Sequence, residues 1–224
     1  VDDLDWPWVP VSQVAAIGLG GARDHLQAVR VHLDVGQLFP FAQLTLIRGA
    51  LIGGAQAAWV LAPTDRERRT ERARCIASHM YTEHGKYLDL LRALAPTPHQ
   101  GTEMVASHVR KRGVELDTLR ARDGQKVVLN TTRMVEEAAR SAFGTDALAT
   151  EALSVWRLTS GAAHGFAWPL LGQPDTSQTG EPDGNGIASF GAAGGIDRIA
   201  NAYLCAYHLA AYAWRLWDER GQSP

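Results

Sequence analysis

Arg157 and His164 stand seven residues apart in the run Trp156-Arg157-Leu158-Thr159-Ser160-Gly161-Ala162-Ala163-His164-Gly165. On a helix seven residues turn through about 700°, which returns both side chains to one face, roughly 10 Å apart along the axis. A guanidinium stays charged and forks onto a phosphate, while an imidazole exchanges a proton near neutrality. Together they can hold a phosphate and move a proton beside it. Ser160 shares the face and Thr159 adjoins it, so both hydroxyls are candidate supports. A structural role competes, in which Arg157 meets a carboxylate and His164 closes the helix next to Gly165.

Arg48 is a third candidate. It falls on the helical stripe of Leu44, Leu51, Ala55 and Trp59 and so points at the core or an interface. There an arginine needs a partner, since an unpaired buried charge is costly, and a buried ion pair is the plain expectation. A helper role at the Arg157/His164 site is the other. The run Arg66-Glu67-Arg68-Arg69-Thr70-Glu71-Arg72 is locally basic, and Arg66, Arg68, Arg69 and Arg72 could follow an RNA backbone. A solvated surface explains them as simply.

His79 and Glu83 share a face but His84 is turned away, so no metal set is expected and no cofactor fingerprint occurs. Tyr203, Tyr207, Trp214 and Trp217 form an aromatic stripe through Ala210 in the last helical segment. It suits core or dimer packing, and also base stacking. Trp59, Trp156 and Trp168 are candidates to line a small-molecule pocket.

The elements that must position these residues read as helices. Ala, Leu, Arg and Glu dominate between breakers, and alternating β-branched runs are nearly missing. Residues 1–11 suggest an extended arm. A first helix starts near Ser12 or Ala22 and reaches Val35. Pro40 opens a second helix and Pro63 closes it. Thr64 is the expected N-cap of a third, ending near Ala95. Helices follow over 102–121 and 131–142, the latter capped by Thr131 or Thr132. Asp146 starts the helix that carries Arg157 and runs to about Phe166. Residues 172–195, rich in Gly, Pro, Asp and Ser, read as a long mobile loop, and a last helix spans Ile196 to Arg220. The prediction is a single all-α domain over 1–224, a compact multi-helix bundle with one Gly/Pro-rich loop before its last helix.

With 46% hydrophobic residues the chain can build a full core. A net charge of −2 means that any polyanion site must be a local patch. Cys75 and Cys205 lie far apart, outside metal or redox spacing, and no signal-type pattern opens the sequence, so a cytoplasmic protein is expected. Phe41 to Ala62 carries one charge and the spacing Gly49-x-x-x-Gly53, which would suit a membrane span. Arg48, Gln43 and Gln56 favour a buried helix in a soluble bundle, without a membrane.

An Arg followed by His after a few residues, late in a helical domain, resembles the motif of the HEPN superfamily, compact helical bundles that include toxins, CRISPR effectors and phage-defence ribonucleases. Active members commonly have a polar residue directly after the Arg, and here Leu158 stands there. A looser likeness covers Leu46-Ile47-Arg48-Gly49-Ala50-Leu51, Trp59 to Pro63 and Ser160 to Gly165, which resemble uncharacterised helical proteins of actinomycetes. The HEPN resemblance implies metal-independent RNA cleavage by Arg157 and His164, at a composite site where two copies of the motif face each other. It also implies a homodimer, and an antitoxin or defence-system partner. The alternative is a non-catalytic dimerisation or partner-binding module in which the Arg/His pair is structural.

Overall fold

The computed structural model describes residues 3, 9–94, 100–173 and 175–222. Seven helices run through them: α1 (Val11–Asp34), α2 (Ala42–Leu61), α3 (Arg66–Leu94), α4 (Gln100–Arg122), α5 (Thr131–Phe143), α6 (Asp146–Ala163) and α7 (Ile196–Gly221). The molecule is an all-α bundle, as the composition predicts.

The most apolar helix is the hub. α2 packs against α1, α3, α5, α6 and α7, and Leu44, Ile47, Leu51, Ala55, Ala58 and Val60 are all fully buried. Small residues make this crowding possible. A Cβ on Gly53 would lie 2.4 Å from the carbonyl oxygen of Gly18 in α1, and one on Gly54 would lie 3.1 Å from the backbone nitrogen of Ala210 in α7. Gly49 seats the ring of His25. The spacing that resembles a transmembrane dimer motif is here the contact surface between helices of one chain. α2 is long and apolar enough to cross a membrane, and 61% of its most apolar window is buried inside the structure.

α3 and α4 form a less buried layer. α4 packs on α3, through Ala77 with Leu116 near one end and Leu88 with Ala106 and Val109 near the other. Leu90, Leu94, Met104 and Val114 remain exposed along this pair.

The helix ends follow local chemistry and refine the sequence reading. Asp65, not Thr64, caps α3, because both its carboxylate oxygens accept from the backbone N–H groups of Glu67 and Arg68, at 3.2 and 3.1 Å. Asn130, rather than Thr131 or Thr132, caps α5 through the N–H of Arg133 at 2.9 Å. Gly144 then closes α5 with φ of 70°, a conformation that costs a side-chain-bearing residue energy. α6 is shorter than predicted, since the chain turns at Gly165, φ 70°, before Pro169 is reached.

Within the predicted loop the chain makes a small antiparallel hairpin, β1 (Thr176–Gln178) with β2 (Phe190–Ala192), in register Ser177 to Gly191. Arg198, 4% exposed, anchors it by bonding Asp175 and the Thr176 hydroxyl. Gly194 passes so close to the backbone of Leu38 and Phe39 that no side chain fits. The loop is therefore tied to the α1–α2 connection and to α7. Most of the expected arm over 1–11 lies outside the described residues; Asp3 accepts a hydrogen bond from the N–H of Ser12.

Candidate functional site

α6 packs on α2 and α5 through Ala152, Val155, Trp156, Thr159 and Ala162. Its opposite face is open to solvent, and Arg157 and His164 stand exposed there. Arg157, Ser160 and His164 lie within an arc of about 60° on the helix. Leu158, the residue that departs from the superfamily pattern, turns towards the main core.

Arg157 lacks, among the described residues, the carboxylate that the structural role requires, whereas His164 does close α6 next to Gly165, as that role expects. Among the described residues Arg157 makes no hydrogen bond or ion pair. His164 is the C-cap of α6, but only its backbone N–H takes part, donating to the carbonyl of Ser160 at 3.1 Å. Among the described residues the imidazole itself meets only the ring of Phe166, 5.7 Å between centroids. Gly161, between the two, seats the Trp168 indole and Pro169, so the chain folds back over the helix end. Phe166, Trp168 and Leu171 are each about half exposed there.

Arg48 reaches this face from α2. Its Nε donates to the Ser160 hydroxyl at 3.3 Å, and its guanidinium lies over the Trp156 ring, 5.0 Å from the centroid. The expected buried ion pair does not form; among the described residues no carboxylate meets Arg48. A hydroxyl and an indole face take its place, the latter a cation–π contact that leaves the positive charge uncompensated. Trp156 is held in turn by its Nε1, which donates to the Thr132 hydroxyl at 3.3 Å. Thr159 is elsewhere. It is fully buried and its hydroxyl bonds the Val155 and Trp156 carbonyls, at 2.8 and 3.2 Å. That is a helix-interior bond, remote from the solvent face.

The basic tract of α3 does not form one stripe. Arg69, 8% exposed, donates to the carbonyls of Pro63 and Thr64, at 2.9 and 2.8 Å. Arg72 donates to the Trp59 carbonyl at 2.7 Å, and Arg220 of α7 reaches those of Leu61 and Pro63. α2 has no basic residue in its last turn, and these three guanidinia supply the positive charge that its terminal carbonyls attract. Arg69 and Arg72 are thus engaged inside the fold. Arg68 faces solvent beside one cleft, and Arg66 lines another of about 430 Å³ with Thr70, Arg74 and Asp123.

A carboxylate that the sequence reading did not single out holds the next part of the molecule. Glu137 of α5 accepts from Trp59 Nε1 and from Arg72, both at 2.7 Å, and from Arg133 at 2.8 Å. Burial raises its pKa, but the bonds from Trp59 and Arg133 and the charge of Arg72 outweigh that and leave it below the ordinary value. The available signal was an acid one turn past Met134 and close to the apolar stripe of α5. This cluster borders a cleft of about 640 Å³ that also takes in Glu71, Lys126 and Asn130. Trp59, Trp156 and Trp168 serve three different contacts: Trp59 bonds Glu137, Trp156 lies under Arg48, and Trp168 covers Gly161. Both thiols are poor nucleophiles: burial pushes Cys75 upward, and burial with the nearby charge of Glu151 pushes Cys205 to about 11.

Among the described residues no three His, Cys, Asp or Glu side chains gather to hold a metal ion. Comparison with protein-family models, with curated proteins and with solved structures finds no match, so the function must be argued from this geometry.

Proposed function

We propose that the chain is a HEPN-like, metal-independent endoribonuclease that works as a homodimer, with Arg157 and His164 as its reacting pair. One observation carries the reading. The hydrogen bond from Arg48 to Ser160 brings a second guanidinium, without a carboxylate, to the face where Arg157 and His164 stand exposed and unpaired. Two uncompensated positive charges, a hydroxyl and an imidazole on one surface are the groups that phosphodiester transfer needs.

In the proposed reaction the neutral imidazole of His164 takes the proton of a ribose 2′-hydroxyl, whose oxygen attacks the adjacent phosphorus. The P–O5′ bond breaks, leaving a cyclic phosphate, and the departing 5′-oxygen takes a proton from water, whose hydroxide the His164 imidazolium neutralises. Arg157 and Arg48 neutralise the charge that grows on the phosphate oxygens. Positioned proton transfer contributes roughly 10²–10⁴-fold, and fixed positive charge adds to it. The exposed Phe166, Trp168 and Leu171 beside His164 offer a second copy an apolar contact. RNA is then the substrate, and of the α3 tract Arg68, exposed to solvent, and Arg66, lining its cleft, are the arginines placed to meet its backbone.

The test is cleavage of total cellular RNA by purified protein in EDTA. Wild type should cleave, and His164→Ala and Arg157→Ala should each lose roughly 100-fold or more with helical content unchanged. Arg48→Ala should lose activity in the same direction. No cleavage by wild type, or equal cleavage by all four proteins, would overturn the reading in favour of a non-catalytic binding module.

A further inference from the structure

Of the aromatic stripe of α7, Tyr203 and Trp217 pack against the main core, whereas Tyr207 and Trp214 stand open to solvent. Tyr207 and Trp214 are 49% and 42% exposed, on the same helical stripe as Tyr203, and they wall a groove of about 570 Å³ between α7 and α1. Ala210 and Ala211 form the floor on the α7 side and Leu26 on the α1 side. Both banks are helical ridges, since the lining residues recur at spacings of three and four: 23, 26, 27 and 30 on α1, and 203, 207, 210, 211, 214 and 218 on α7. Large residues along the edges with alanine between them leave a trough into which a third helix can set its own side chains.

Charge narrows the occupant. Arg23, Arg30 and Arg215 line the groove against a single carboxylate, Asp218, in a chain whose net charge is −2. Arg23 is exposed and has no partner among the described residues. Arg30 and Arg215 reach Asp34 and Glu219 one turn along their own helices, at 3.6 and 3.7 Å, and Arg215 also lies over the Tyr212 ring. Exposed pairs of that kind are weak, so an arriving carboxylate can displace them.

We propose that the α1–α7 groove is the docking site for an acidic amphipathic helix of a partner protein. The stripe from Tyr203 to Asp218 is about 22 Å long, which calls for a helix of about fifteen residues. Its apolar side, at i, i+3, i+4 and i+7, covers Tyr207 and Trp214, and its carboxylates meet Arg23, Arg30 and Arg215. Helix addition accounts for the helical ridges on both banks and the alanine between them, which base stacking alone would not require. The assignment does not depend on the ribonuclease reading.

The test uses the full chain and a fluorescein-labelled synthetic helical peptide of about fifteen residues, with leucines on one face and glutamates on both flanks. Fluorescence anisotropy should show binding that salt weakens. A peptide with lysine in place of every glutamate should bind at least about tenfold more weakly. Arg23→Glu, on an exposed position, should weaken the acidic peptide while leaving the lysine peptide unaffected or tighter. Equal binding of both peptides, or indifference to Arg23→Glu, overturns the proposal. So does a dimer in sedimentation that Trp214→Glu abolishes, which would make a second copy the occupant. Displacement of the peptide by a short oligoadenylate at lower concentration would assign the groove to nucleic acid instead.

Discussion

Trp59, Arg72 and Arg133 converge on the Glu137 carboxylate, which ties α2, α3 and α5 together beside their apolar packing. Replacement by glutamine keeps the size but leaves Arg72 facing a neutral amide, so Glu137→Gln should lose roughly 2 kcal/mol of stability at pH 7. The pH dependence has a definite sign. The folded-state pKa is depressed, so the carboxylate's contribution is present above its ordinary value of 4.5 and fades as pH falls through the lower folded value. Urea unfolding of both proteins from pH 7 to pH 3 should show the stability gap closing in the acid arm; a gap that holds constant would assign the loss to packing. At this scale the sequence was partly legible. Arg157, Ser160 and His164 share a face because helical periodicity alone puts them there. Arg48 joins them through a contact between residues 112 positions apart, which no local pattern contains. Thr159 looked like a neighbour because it is adjacent in sequence, yet one residue on a helix is about 100° of rotation and places it in the core.

Two glycines on neighbouring helices separate the roles that small residues have in these elements. Gly53 of α2 and Gly18 of α1 touch backbone to backbone, so Gly53→Ala must push α1 away and should cost about 1–3 kcal/mol. Gly20 in α1 has nothing within 4 Å of where a Cβ would go. Gly20→Ala should therefore gain roughly 0.5–1 kcal/mol by restricting the unfolded chain. Thermal melts of the two variants should move in opposite directions; a drop in Gly20→Ala as well would overturn the reading of position 20 as open space. All seven helices were readable because proline, glycine and polar residues punctuate the sequence, α6 from its first residue, Asp146, although it stops at Ala163. The readings missed where two residues compete for one role: Asp65 beats Thr64 because a carboxylate accepts two N–H groups at once. The hairpin at 176–192 gave no alternating apolar signal, since its two strands are three residues each and the segment is fixed by Arg198 and Asp175 rather than by a buried face.

For the whole molecule the decisive property is whether its working site is built from one chain or two. Arg157 and His164 are about two helical turns apart, roughly 10 Å along α6, so within one chain the two side chains must reach towards each other to meet one phosphate. A site completed across a two-fold axis removes that separation, because Arg157 of one copy can face His164 of the other. Mixing then becomes diagnostic. Arg157→Ala and His164→Ala are each inactive under the ribonuclease proposal, but unfolding and refolding them together at equal concentration forms mixed dimers. Half of the dimers are mixed, and each has one site with both native residues, so about a quarter of wild-type cleavage should return. The mixture would stay inactive if Arg157 and His164 must come from the same chain. Recovery that vanishes on dilution, in step with dissociation measured by sedimentation, would tie the activity to the assembled pair. The apolar cluster of Phe166, Trp168 and Leu171 gives an independent handle on the same question. Phe166→Glu should weaken the dimer and its cleavage together while leaving the fold of each chain intact, since that side chain is already half in water.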